Sequence, residues 1–465
     1  MSNKPENFDA IIIGSGQGGN PLALALANKG WQIALIERAY VGGSCINYGC
    51  TPTKTMIASA RVAHLIHRAQ DYGIDSVNGF VNFSKIVKRK NDIVQSFRGG
   101  SRKKLTSKSN LTLIEGNACF TGKKLLEIEL SKGGKKTIKS EYIIIDTGTS
   151  PAKPAIPGLD RDNTLDSNSI MEIDKIPEHL LVIGGGYVGL EFGQMFHRFG
   201  SKVTIIQLED QLLPLEDKDV AEEIVKILQQ EGLQILLNAV TTNVDKSAKD
   251  NIILSVKVNG KEQTIEGSHL LVATGRVPNT SFLNPAATGI TLDKRGFIPV
   301  NDYLETSVPG IFAIGDVNGG PAFTHVSYDD HKILLKNILE QGNATTSGRI
   351  LPYVVYIDPQ LGRIGLNEKQ AKEQGYDYRV AKIPMSWVAR AIETDETNGL
   401  MKAIIDYKTK QILGASILGK EGGELMTAIQ IAMLGKLPYT ALRDGMFAHP
   451  TLAESFNTLF GSVDE

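Results

Sequence analysis

The sequence contains little cysteine, no long apolar run and no excess of one charge. Cysteine occurs only three times in 465 residues, at Cys45, Cys50 and Cys119, which excludes a secreted disulfide scaffold. No segment reaches the roughly 18 apolar residues that a membrane span needs, and residues 1–9 are polar, unlike a signal peptide. We therefore predict a cytoplasmic protein in a reducing compartment, without a membrane segment.

The charges of the chain are balanced. The formal net charge is −1, from 50 Lys and Arg residues against 51 Asp and Glu residues. Proteins that bind nucleic acids or membrane surfaces through charge are usually far from neutral. Residues 85–108 form a basic run with a single acid, Asp92, but no aromatic platform for bases accompanies it. We interpret the run as a solvent-exposed helix face with a loop, and predict no nucleic-acid partner.

Glycine is abundant, with 47 residues, and it is clustered. The first cluster follows the apolar run Ala10–Ile13 and precedes a helix-forming segment, after which a second apolar run ends at Glu37. This pattern is a strand–turn–helix–strand unit with G-x-G-x-x-G at Gly14, Gly16 and Gly19, and Glu37 follows the first glycine by 23 residues. Such glycines allow a tight turn, backbone approach to a pyrophosphate and close helix packing. The pattern therefore indicates a dinucleotide site.

The same layout returns 170 residues later, at Gly184, Gly186 and Gly189. A strand precedes these glycines, and a helix and a further strand follow them. A single G-x-G-x-x-G is a weak signal, but two in full context make an ordinary glycine-rich turn improbable at either place. Two such units imply two dinucleotides, each with its phosphates at a helix N-terminus.

Three further apolar strands end in small or acidic residues, and the pattern of predicted elements changes after residue 350. The strand ends are Thr147-Gly148, Thr274-Gly275 and Gly315-Asp316. From residue 351 on, short strands and helices alternate without a nucleotide fingerprint, so we predict a separate α+β domain there.

Two cysteines lie directly after the first nucleotide unit, with four residues between them. Pro52 suits a first helical turn, so a helix beginning near Thr51 would place Cys50 at its N-terminus, where a thiolate is favoured. Cys45 and Cys50 can form a disulfide if the turn between them brings their Cα atoms close. The alternative is two buried thiols. A metal site is disfavoured because no further cysteine or histidine lies nearby, and we predict no metal.

With these motifs in this order, the chain resembles the class I pyridine nucleotide–disulfide oxidoreductases, which include dihydrolipoamide dehydrogenase, glutathione reductase and mercuric reductase. The resemblance covers nearly the whole length. It implies an α/β fold with two Rossmann-like dinucleotide-binding domains, for FAD and NAD(P), and a C-terminal α+β dimerisation domain. The implied borders give residues 1–150 and 279–350 to the FAD-binding domain, 151–278 to the NAD(P)-binding domain and 351–465 to the dimerisation domain.

The resemblance also implies how the cofactors are held. The first fingerprint and Glu37 would bind the adenosine half of FAD, Asp316 would hold its ribityl side, and the second fingerprint would bind the nicotinamide nucleotide. The full set of cofactor-binding residues that we predict is Gly14, Gly16, Gly19, Glu37, Gly43, Ser44, Thr147, Gly148, Asp316, Gly184, Gly186, Gly189, Gln207 and Gly275.

By the same resemblance, electrons pass from the nicotinamide through the flavin to a Cys45–Cys50 disulfide. Cys50 would lie against the flavin and Cys45 would attack the substrate. Lys54 and Glu191 would pair beside the flavin ring, the alternative being a surface ion contact.

A histidine and a glutamate near the C-terminus would complete the centre. His449 and Glu454 resemble the acid–base dyad of the family, in whose homodimers the histidine reaches the disulfide of the other subunit. A histidine of near-neutral pKa can accept a thiol proton and return it. The alternative for His449, which precedes a proline, is an ordinary loop residue.

Several features bear on the substrate. Mercuric reductase carries a cysteine pair at its C-terminus and lacks the histidine, whereas this chain has His449 and ends without cysteine. Both departures favour thiol–disulfide exchange with a small molecule such as lipoamide over mercury. Residues 323–330, however, look more like a mercuric-reductase-like branch that includes reductases of oxidative or reactive-chlorine stress. A metal-ion or quinone reductase and an FAD-binding redox sensor without turnover remain the alternatives.

The residue that corresponds to Glu37 in the second unit is Gln207. A carboxylate there would bind the ribose of NAD, and an arginine would bind the 2′-phosphate of NADP. Glutamine does neither, but the next residues, Leu208, Glu209 and Asp210, offer no cation and would repel a phosphate. We predict NADH as the preferred nucleotide, with NADPH as the alternative.

Overall fold

The apolar runs before the glycine clusters form buried strands in a computed structural model, which describes residues 4–75, 79–160 and 164–463. The chain divides into two units. Unit 1 holds the residues up to 56 together with 84–152 and 275–349, and unit 2 holds 57–83, 153–274 and the residues from 350 on. No sequence signal marks 57–83 as part of unit 2, and the predicted domain borders stay a prediction.

Residues 4–152 begin with the predicted strand–turn–helix–strand unit. Its first strand is AIII, with all four residues buried, as parallel strands covered on both faces usually are. The strands are β1 (Glu6–Asn7), β2 (Ala10–Ile13), β3 (Ile33–Glu37), β4 (Leu111–Gly122), β5 (Leu125–Leu130), β6 (Lys135–Lys139), β7 (Tyr142–Ile145) and β8 (Thr149–Pro151), and the helices are α1 (Gly19–Asn28), α2 (Gly43–Asn47), α3 (Cys50–His67) and α4 (Phe83–Thr106).

Residues 153–274 repeat the nucleotide unit and add an antiparallel insertion. The elements are β9 (Thr164–Leu165), β10 (His179–Ile183), α5 (Tyr187–Phe199), β11 (Lys202–Ile206), α6 (Lys218–Glu231), β12 (Gln234–Leu236), β13 (Ala239–Lys246), β14 (Ile252–Val258), β15 (Lys261–Gly267) and β16 (His269–Val272). A parallel sheet has the order β12-β11-β10-β16-β9, and β13, β14 and β15 form a separate antiparallel sheet. Glycines in left-handed conformation, Gly200 and Gly232, end α5 and α6.

Residues 275–349 return to the first sheet. They contribute β18 (Ile311–Ala313) to that sheet, together with β17 (Arg276–Pro278), which pairs with β8 in a separate two-stranded sheet, and α7 (Thr324–Glu340). Strand β18 pairs in parallel with β7, which completes an eight-stranded sheet of order β1-β6-β5-β4-β3-β2-β7-β18. Two clusters of buried apolar residues contain alternate residues of its interior strand β2, with Ile11 and Ile13 in one and Ala10 and Ile12 in the other.

Residues 350–463 form an antiparallel sheet with helices. The elements are β19 (Pro352–Val355), β20 (Gln360–Gly365), α8 (Glu368–Glu373), β21 (Tyr378–Pro384), α9 (Ala389–Glu393), β22 (Leu400–Asp406), β23 (Ile412–Gly419), α10 (Gly422–Leu434), α11 (Tyr439–Arg443) and α12 (Ser455–Gly461). The strand order is β19-β20-β23-β22-β21. Helix α10 packs against β20 so closely that a Cβ at Gly362 would lie 2.3 Å from the carbonyl oxygen of Gly422.

The α/β fold class with an α+β C-terminal region is therefore confirmed. Within the described ranges, no helix has both the length and the apolar character that crossing a membrane requires.

Candidate functional site

The first glycine turn is pressed against the end of β7. Gly14 has φ 104°, and a Cβ there would lie 2.1 Å from the carbonyl oxygen of Asp146. A Cβ at Gly19 would lie 2.4 Å from the carbonyl oxygen of Gly14. The Gly19 amide donates a hydrogen bond to Oδ2 of Asp146, at 2.7 Å. Only glycine fits these contacts, and they fix α1 with its N-terminus at the end of the sheet.

Asp146 lies beneath this turn, and the sequence analysis did not include it among the site residues. Burial raises the pKa of its carboxyl well above the usual range, although the hydrogen bond from Gly19 opposes the shift. A Cβ at Gly16 would lie 2.7 Å from Oδ2 of the same side chain. Asp146 therefore supports the turn from inside.

Glu37 ends β3 beside the same turn. The amide and hydroxyl of Ser15 donate to its Oε2, at 3.1 and 2.5 Å, and the Ala39 amide donates to its Oε1, at 2.8 Å. Oε2 thus accepts two hydrogen bonds and Oε1 accepts one, which leaves Oε1 able to accept another. The side chain therefore holds the turn and can still accept a hydrogen bond from a ribose hydroxyl.

The remaining predicted residues of this unit lie at the same end of the sheet. Oδ2 of Asp316 accepts a hydrogen bond from the Thr149 hydroxyl, at 2.8 Å, and Arg276 donates to that hydroxyl, at 2.7 Å. The Thr147 hydroxyl is buried without a hydrogen-bond partner, and a Cβ at Gly148 would meet no atom within 4 Å. An unpaired polar atom beside open space fits a polar ligand such as FAD.

Gly43 and Ser44 connect this turn to the segment that carries Cys45 and Cys50. Gly43 has φ 63°, and a Cβ there would lie 2.7 Å from Cα of Gly16. Ser44 is exposed on α2. The close approach of Gly43 to Gly16 places α2, and with it Cys45, directly beside the first fingerprint.

Cys45 and Cys50 are thiols in this structure and share a hydrogen bond. Cys50 is the first residue of α3, which places it at a helix N-terminus as predicted. The hydrogen bond with Cys50, burial and the negative charge of Cys50 raise the pKa of the Cys45 thiol, whereas Thr324 and Lys54 lower it. The two sulfurs therefore lie in unequal surroundings, and those of Cys45 favour its protonated form on balance.

Asn47, between the two cysteines, ties their loop together. Its amide nitrogen donates to the carbonyl oxygens of Tyr40, Val41 and Gly43, at 3.3, 3.1 and 2.9 Å. Its carbonyl oxygen accepts from Nε of Arg98, at 2.7 Å. The buried carboxamide thus holds the segment on which the cysteines lie.

Arg98 belongs to the basic run on α4, and its guanidinium lies 3.9 Å from the centre of the Tyr40 ring. Lys90 of the same run is 1% exposed. The interpretation of the run as a solvent-exposed face is therefore wrong for these two residues. Sequence spacing could not reveal the role of Arg98, because its partner Asn47 is 51 residues away.

The second glycine turn repeats the geometry of the first. Gly184 has φ 114°, and a Cβ there would lie 2.4 Å from the carbonyl oxygen of Ala273. A Cβ at Gly189 would lie 2.0 Å from the carbonyl oxygen of Gly184. By contrast, Cβ atoms at Gly186 and Gly275 would meet nothing within 4 Å. Gly186 therefore leaves space beside the N-terminus of α5, where a pyrophosphate would approach the backbone.

Gln207 takes the place that Glu37 has in the first unit. Its Oε1 accepts a hydrogen bond from the Gly185 amide, at 2.8 Å, and its Nε2 donates to the carbonyl oxygen of Gln211, at 3.1 Å. Both ends of the side chain are thus engaged with the backbone. Glu209 and Asp210 are exposed immediately after it.

Glu191 and Lys54 lie in different units, and their pairing stays a prediction. Glu191 is 3% exposed on α5, and its Oε1 accepts a hydrogen bond from the Tyr356 amide, at 2.8 Å. This burial disfavours the surface ion contact that was the alternative.

His449 and Glu454, the predicted dyad, are hydrogen-bonded to each other, and their acid–base role stays a prediction. Nδ1 of His449 lies 3.0 Å from each carboxylate oxygen of Glu454. A carboxylate only accepts, so Nδ1 carries the proton and Nε2 is available as a base. The His449 side chain is 71% exposed, whereas that of Glu454 is 20% exposed. The histidine is thus oriented and open to a partner.

Among the described residues, one group of carboxylates is close enough to hold a metal ion: Asp217, Asp219 and Glu368. The ammonium group of Lys402 lies between them, at 3.0 Å from Asp217, 2.9 Å from Asp219 and in contact with Glu368. Its pKa is raised because the carboxylates outweigh its burial. The group therefore already binds a cation of the chain itself.

Comparison with known proteins gives a consistent result. Residues 8–330 match the family "Pyridine nucleotide-disulphide oxidoreductase", and residues 351–460 match its dimerisation domain. The chain is 38% identical to the probable pyridine nucleotide-disulfide oxidoreductase RclA of Escherichia coli, over 98% of this chain and 99% of that protein. It is 34% identical to mercuric reductase of Staphylococcus aureus, over 97% and 82%. A structure described as the Cu(II) complex of the HOCl-induced flavoprotein disulfide reductase RclA from Escherichia coli matches with a TM-score of 0.89 and 36% identity, covering 98% of this chain and 99% of that one.

The open space at Gly186 gives a test of the second turn. We expect Gly186→Ala to fold normally, since its added methyl meets no protein atom within 4 Å. The methyl should nevertheless raise the KM for the nicotinamide nucleotide roughly tenfold, which corresponds to a loss of about 1.4 kcal/mol of binding free energy. Steady-state kinetics and thermal unfolding would measure both. Gly99→Ala, whose methyl also meets nothing within 4 Å, is the control: it should leave the KM unchanged and raise the melting temperature slightly, because Gly99 lies within helix α4. An unchanged KM in Gly186→Ala would contradict the placement of the pyrophosphate.

Proposed function

Because the chain belongs to the pyridine nucleotide-disulfide oxidoreductase family, whose members are NAD(P)H-dependent flavoproteins, we propose that it passes electrons to a thiol or disulfide substrate through Cys45 and Cys50. The observation that carries the proposal is the hydrogen-bonded, inequivalent cysteine pair beside the first glycine turn. A protein that only binds FAD as a sensor would not need such a pair together with an oriented histidine. Disulfides of the lipoamide type are one substrate class that fits.

The first unit would hold FAD. When bound, FAD takes a hydride from reduced nicotinamide and delivers two electrons to a neighbouring disulfide. The N-terminus of α1 offers backbone donors and partial positive charge to the pyrophosphate. Glu37 would accept from ribose hydroxyls, and Asp316, oriented by Thr149, would accept from the ribityl chain.

Within the reduced pair, the two sulfurs would have separate tasks. A base removes the proton of Cys45, and the resulting thiolate attacks one sulfur of the substrate disulfide. A mixed disulfide forms, and the first product thiolate leaves and takes up the proton. The Cys50 thiolate then attacks the sulfur of Cys45, which restores the Cys45–Cys50 disulfide and releases the second product thiolate.

His449 would be that base, and we propose that it serves the cysteine pair of a second subunit. The match to a dimerisation domain supports a homodimer. Apolar side chains on and after α10 also favour a second copy as partner, since Ile431, Leu434 and Leu437 are 65%, 64% and 45% exposed. Glu454 fixes the proton on Nδ1 and would stabilise the imidazolium that forms.

A metal-ion reductase is the second candidate. The structure of RclA as a Cu(II) complex favours it, since a pair of thiols is a suitable ligand set for copper. Turnover with lipoamide, oxidised glutathione, quinones, Hg(II) and Cu(II) as alternative acceptors would separate the candidates. Reduction of Cu(II) that persists in His449→Ala, with loss of disulfide turnover, would assign the two activities to different steps.

The cysteine assignment can be tested by spectroscopy. We expect two-electron-reduced holoenzyme to show a broad long-wavelength charge-transfer band, because a thiolate would lie against the flavin. Cys50→Ser should abolish the band, whereas Cys45→Ser should retain it, since Cys50 keeps its sulfur. Anaerobic titration followed by visible absorption measures this. A band that survives in Cys50→Ser would contradict the proposed role of Cys50.

The role of His449 can be tested by separating two half-reactions. His449→Ala should lower disulfide turnover by about 10²–10⁴-fold, the usual contribution of a general acid–base, while reduction by NAD(P)H stays close to wild type. Stopped-flow and steady-state kinetics measure the two rates. His67→Ala, on the exposed side of α3, is the control and should affect neither. Equal loss of both rates in His449→Ala would refute the acid–base role.

We propose NADH as the physiological reductant. Gln207 is engaged with the backbone, and the exposed carboxylates of Glu209 and Asp210 would repel a 2′-phosphate. We expect kcat/KM for NADH to exceed that for NADPH by roughly tenfold, which corresponds to a difference of about 1.4 kcal/mol in transition-state stabilisation. Added salt should lower the ratio of kcat/KM for NADH to that for NADPH, because salt screens the repulsion between the exposed carboxylates and the 2′-phosphate.

The double variant E209Q/D210N should raise kcat/KM for NADPH and leave that for NADH unchanged. A higher kcat/KM for NADPH in the wild type would contradict the preference.

A further inference from the structure

Residues 208–217, which we call the nucleotide-side segment, contact the second glycine turn. The Leu213 amide donates a hydrogen bond to the carbonyl oxygen of Gly185, at 3.0 Å. Leu212 is buried beside the same turn, since a Cβ at Gly185 would lie 2.6 Å from its Cδ2. The segment also carries the two exposed carboxylates that would repel a 2′-phosphate. Its position therefore affects both the turn and those carboxylates.

The other end of the segment is bound to the sheet of residues 350–463 through Glu216. The Tyr353 hydroxyl donates a hydrogen bond to Oε1 of Glu216. Nε of Arg363 forms an ion pair with Oε2 at 3.4 Å, and the Ser416 hydroxyl lies 3.5 Å from the same oxygen. Three strands, β19, β20 and β23, thus supply partners to one carboxylate.

Two lysines of the same sheet bind the carboxylates that follow Glu216. The ammonium group of Lys402 lies 3.0 Å from Asp217 and 2.9 Å from Asp219, and that of Lys382 lies 2.6 Å from Asp219. These residues belong to β22 and β21. Every strand of the sheet therefore contributes one side chain to the end of the segment or to the first turn of α6.

The five side chains form one row across the sheet, which we call the polar row. Direct cross-strand pairs join Tyr353 to Arg363, Arg363 to Ser416, Ser416 to Lys402 and Lys402 to Lys382. Successive residues of a strand point to opposite faces, and the neighbours Ile364, Ala415 and Ile417 belong to the apolar cluster. The polar row is therefore the face of the sheet that binds the segment.

The ion pair at the centre of this contact is buried. The side chains of Glu216 and Arg363 are 1% and 4% exposed. Burial raises the pKa of Glu216 to about 7, and the charge of Arg363 opposes that shift. A buried ion pair is often no more stabilising than apolar residues of similar volume, so stability alone is a weak explanation for it. Its directional contacts explain it better, because they fix where the segment lies.

We propose that Glu216 is a positioning residue for the nicotinamide nucleotide, and that through the polar row it fixes the nucleotide-side segment. The glycine turn and the two exposed carboxylates would then keep the arrangement that binds NADH and disfavours NADPH. This proposal rests on the proposed function, because it concerns the nucleotide site of that reaction. The C-terminal sheet would thereby contribute to the choice of nucleotide.

Two substitutions weaken the anchor to different degrees. Glu216→Gln keeps the size of the side chain but removes its charge, and it should raise the KM for NADH roughly tenfold with kcat unchanged. Tyr353→Phe removes one donor and keeps the ion pair, and it should raise the KM about threefold. In both variants the ratio of kcat/KM for NADH to that for NADPH should fall. Steady-state kinetics with both nucleotides measures these changes.

Ile417→Val is the matched control, because it weakens the apolar face of the same sheet without touching the polar row. It should lower the melting temperature, as the loss of a buried methyl group does, but leave the KM and the nucleotide ratio unchanged. Thermal unfolding and FAD content, measured on each holoenzyme, separate folding from nucleotide binding. Should Glu216→Gln fail to fold, Tyr353→Phe carries the test, because it leaves no buried charge without a partner.

The outcomes distinguish this proposal from the proposed function. The proposal for Glu216 fails alone if both anchor variants retain the wild-type KM and nucleotide ratio, or if Ile417→Val changes them equally. It also fails if kcat falls while the KM stays constant. If the wild type prefers NADPH, the proposed preference fails. A raised KM for NADPH in Glu216→Gln would then still support the positioning role, and an unchanged KM would refute it.

Discussion

Both nucleotide units depend on one steric constraint, the contact of a glycine Cα with the end of a neighbouring strand. At Gly14 the neighbour is the carbonyl of Asp146, and at Gly184 it is the carbonyl of Ala273, so a side chain at either position would overlap the backbone. The contact sets the direction in which the following helix leaves the sheet. In unit 1 it also fixes Gly16, against which Gly43 and the start of the redox segment pack.

The redox centre is then built from elements that are local in space and distant in sequence. Asn47 and Arg98 hold the loop, α3 supplies a helix N-terminus to Cys50, and α7 supplies the Thr324 hydroxyl. These contacts act unequally on two chemically identical thiols. The proposed division of labour between the sulfurs would therefore be a property of the surrounding fold and not of the cysteine residue type.

Local patterns predict much of this molecule. Glycine spacing reveals both turns, the spacing of Cys45 and Cys50 reveals the pair, and His449 and Glu454 are only five residues apart. Long-range contacts are beyond such patterns: Thr324 reaches Cys50 across 274 residues, and the Tyr356 amide reaches Glu191 across 165. Charge runs mislead for the same reason, since Arg98 of the basic segment binds Asn47, 51 residues away, and Lys90 of that segment is buried.

The two turns also differ in the chemistry of the side chain that secures them. A carboxylate, Glu37, secures the first, and a carboxamide, Gln207, secures the second, each through the amide that follows the first glycine. A carboxylate only accepts hydrogen bonds, whereas a carboxamide also donates, and Gln207 donates to the carbonyl oxygen of Gln211. A Gln207→Glu exchange would place a second acceptor against that carbonyl, so the two turns are not interchangeable in the residue that secures them.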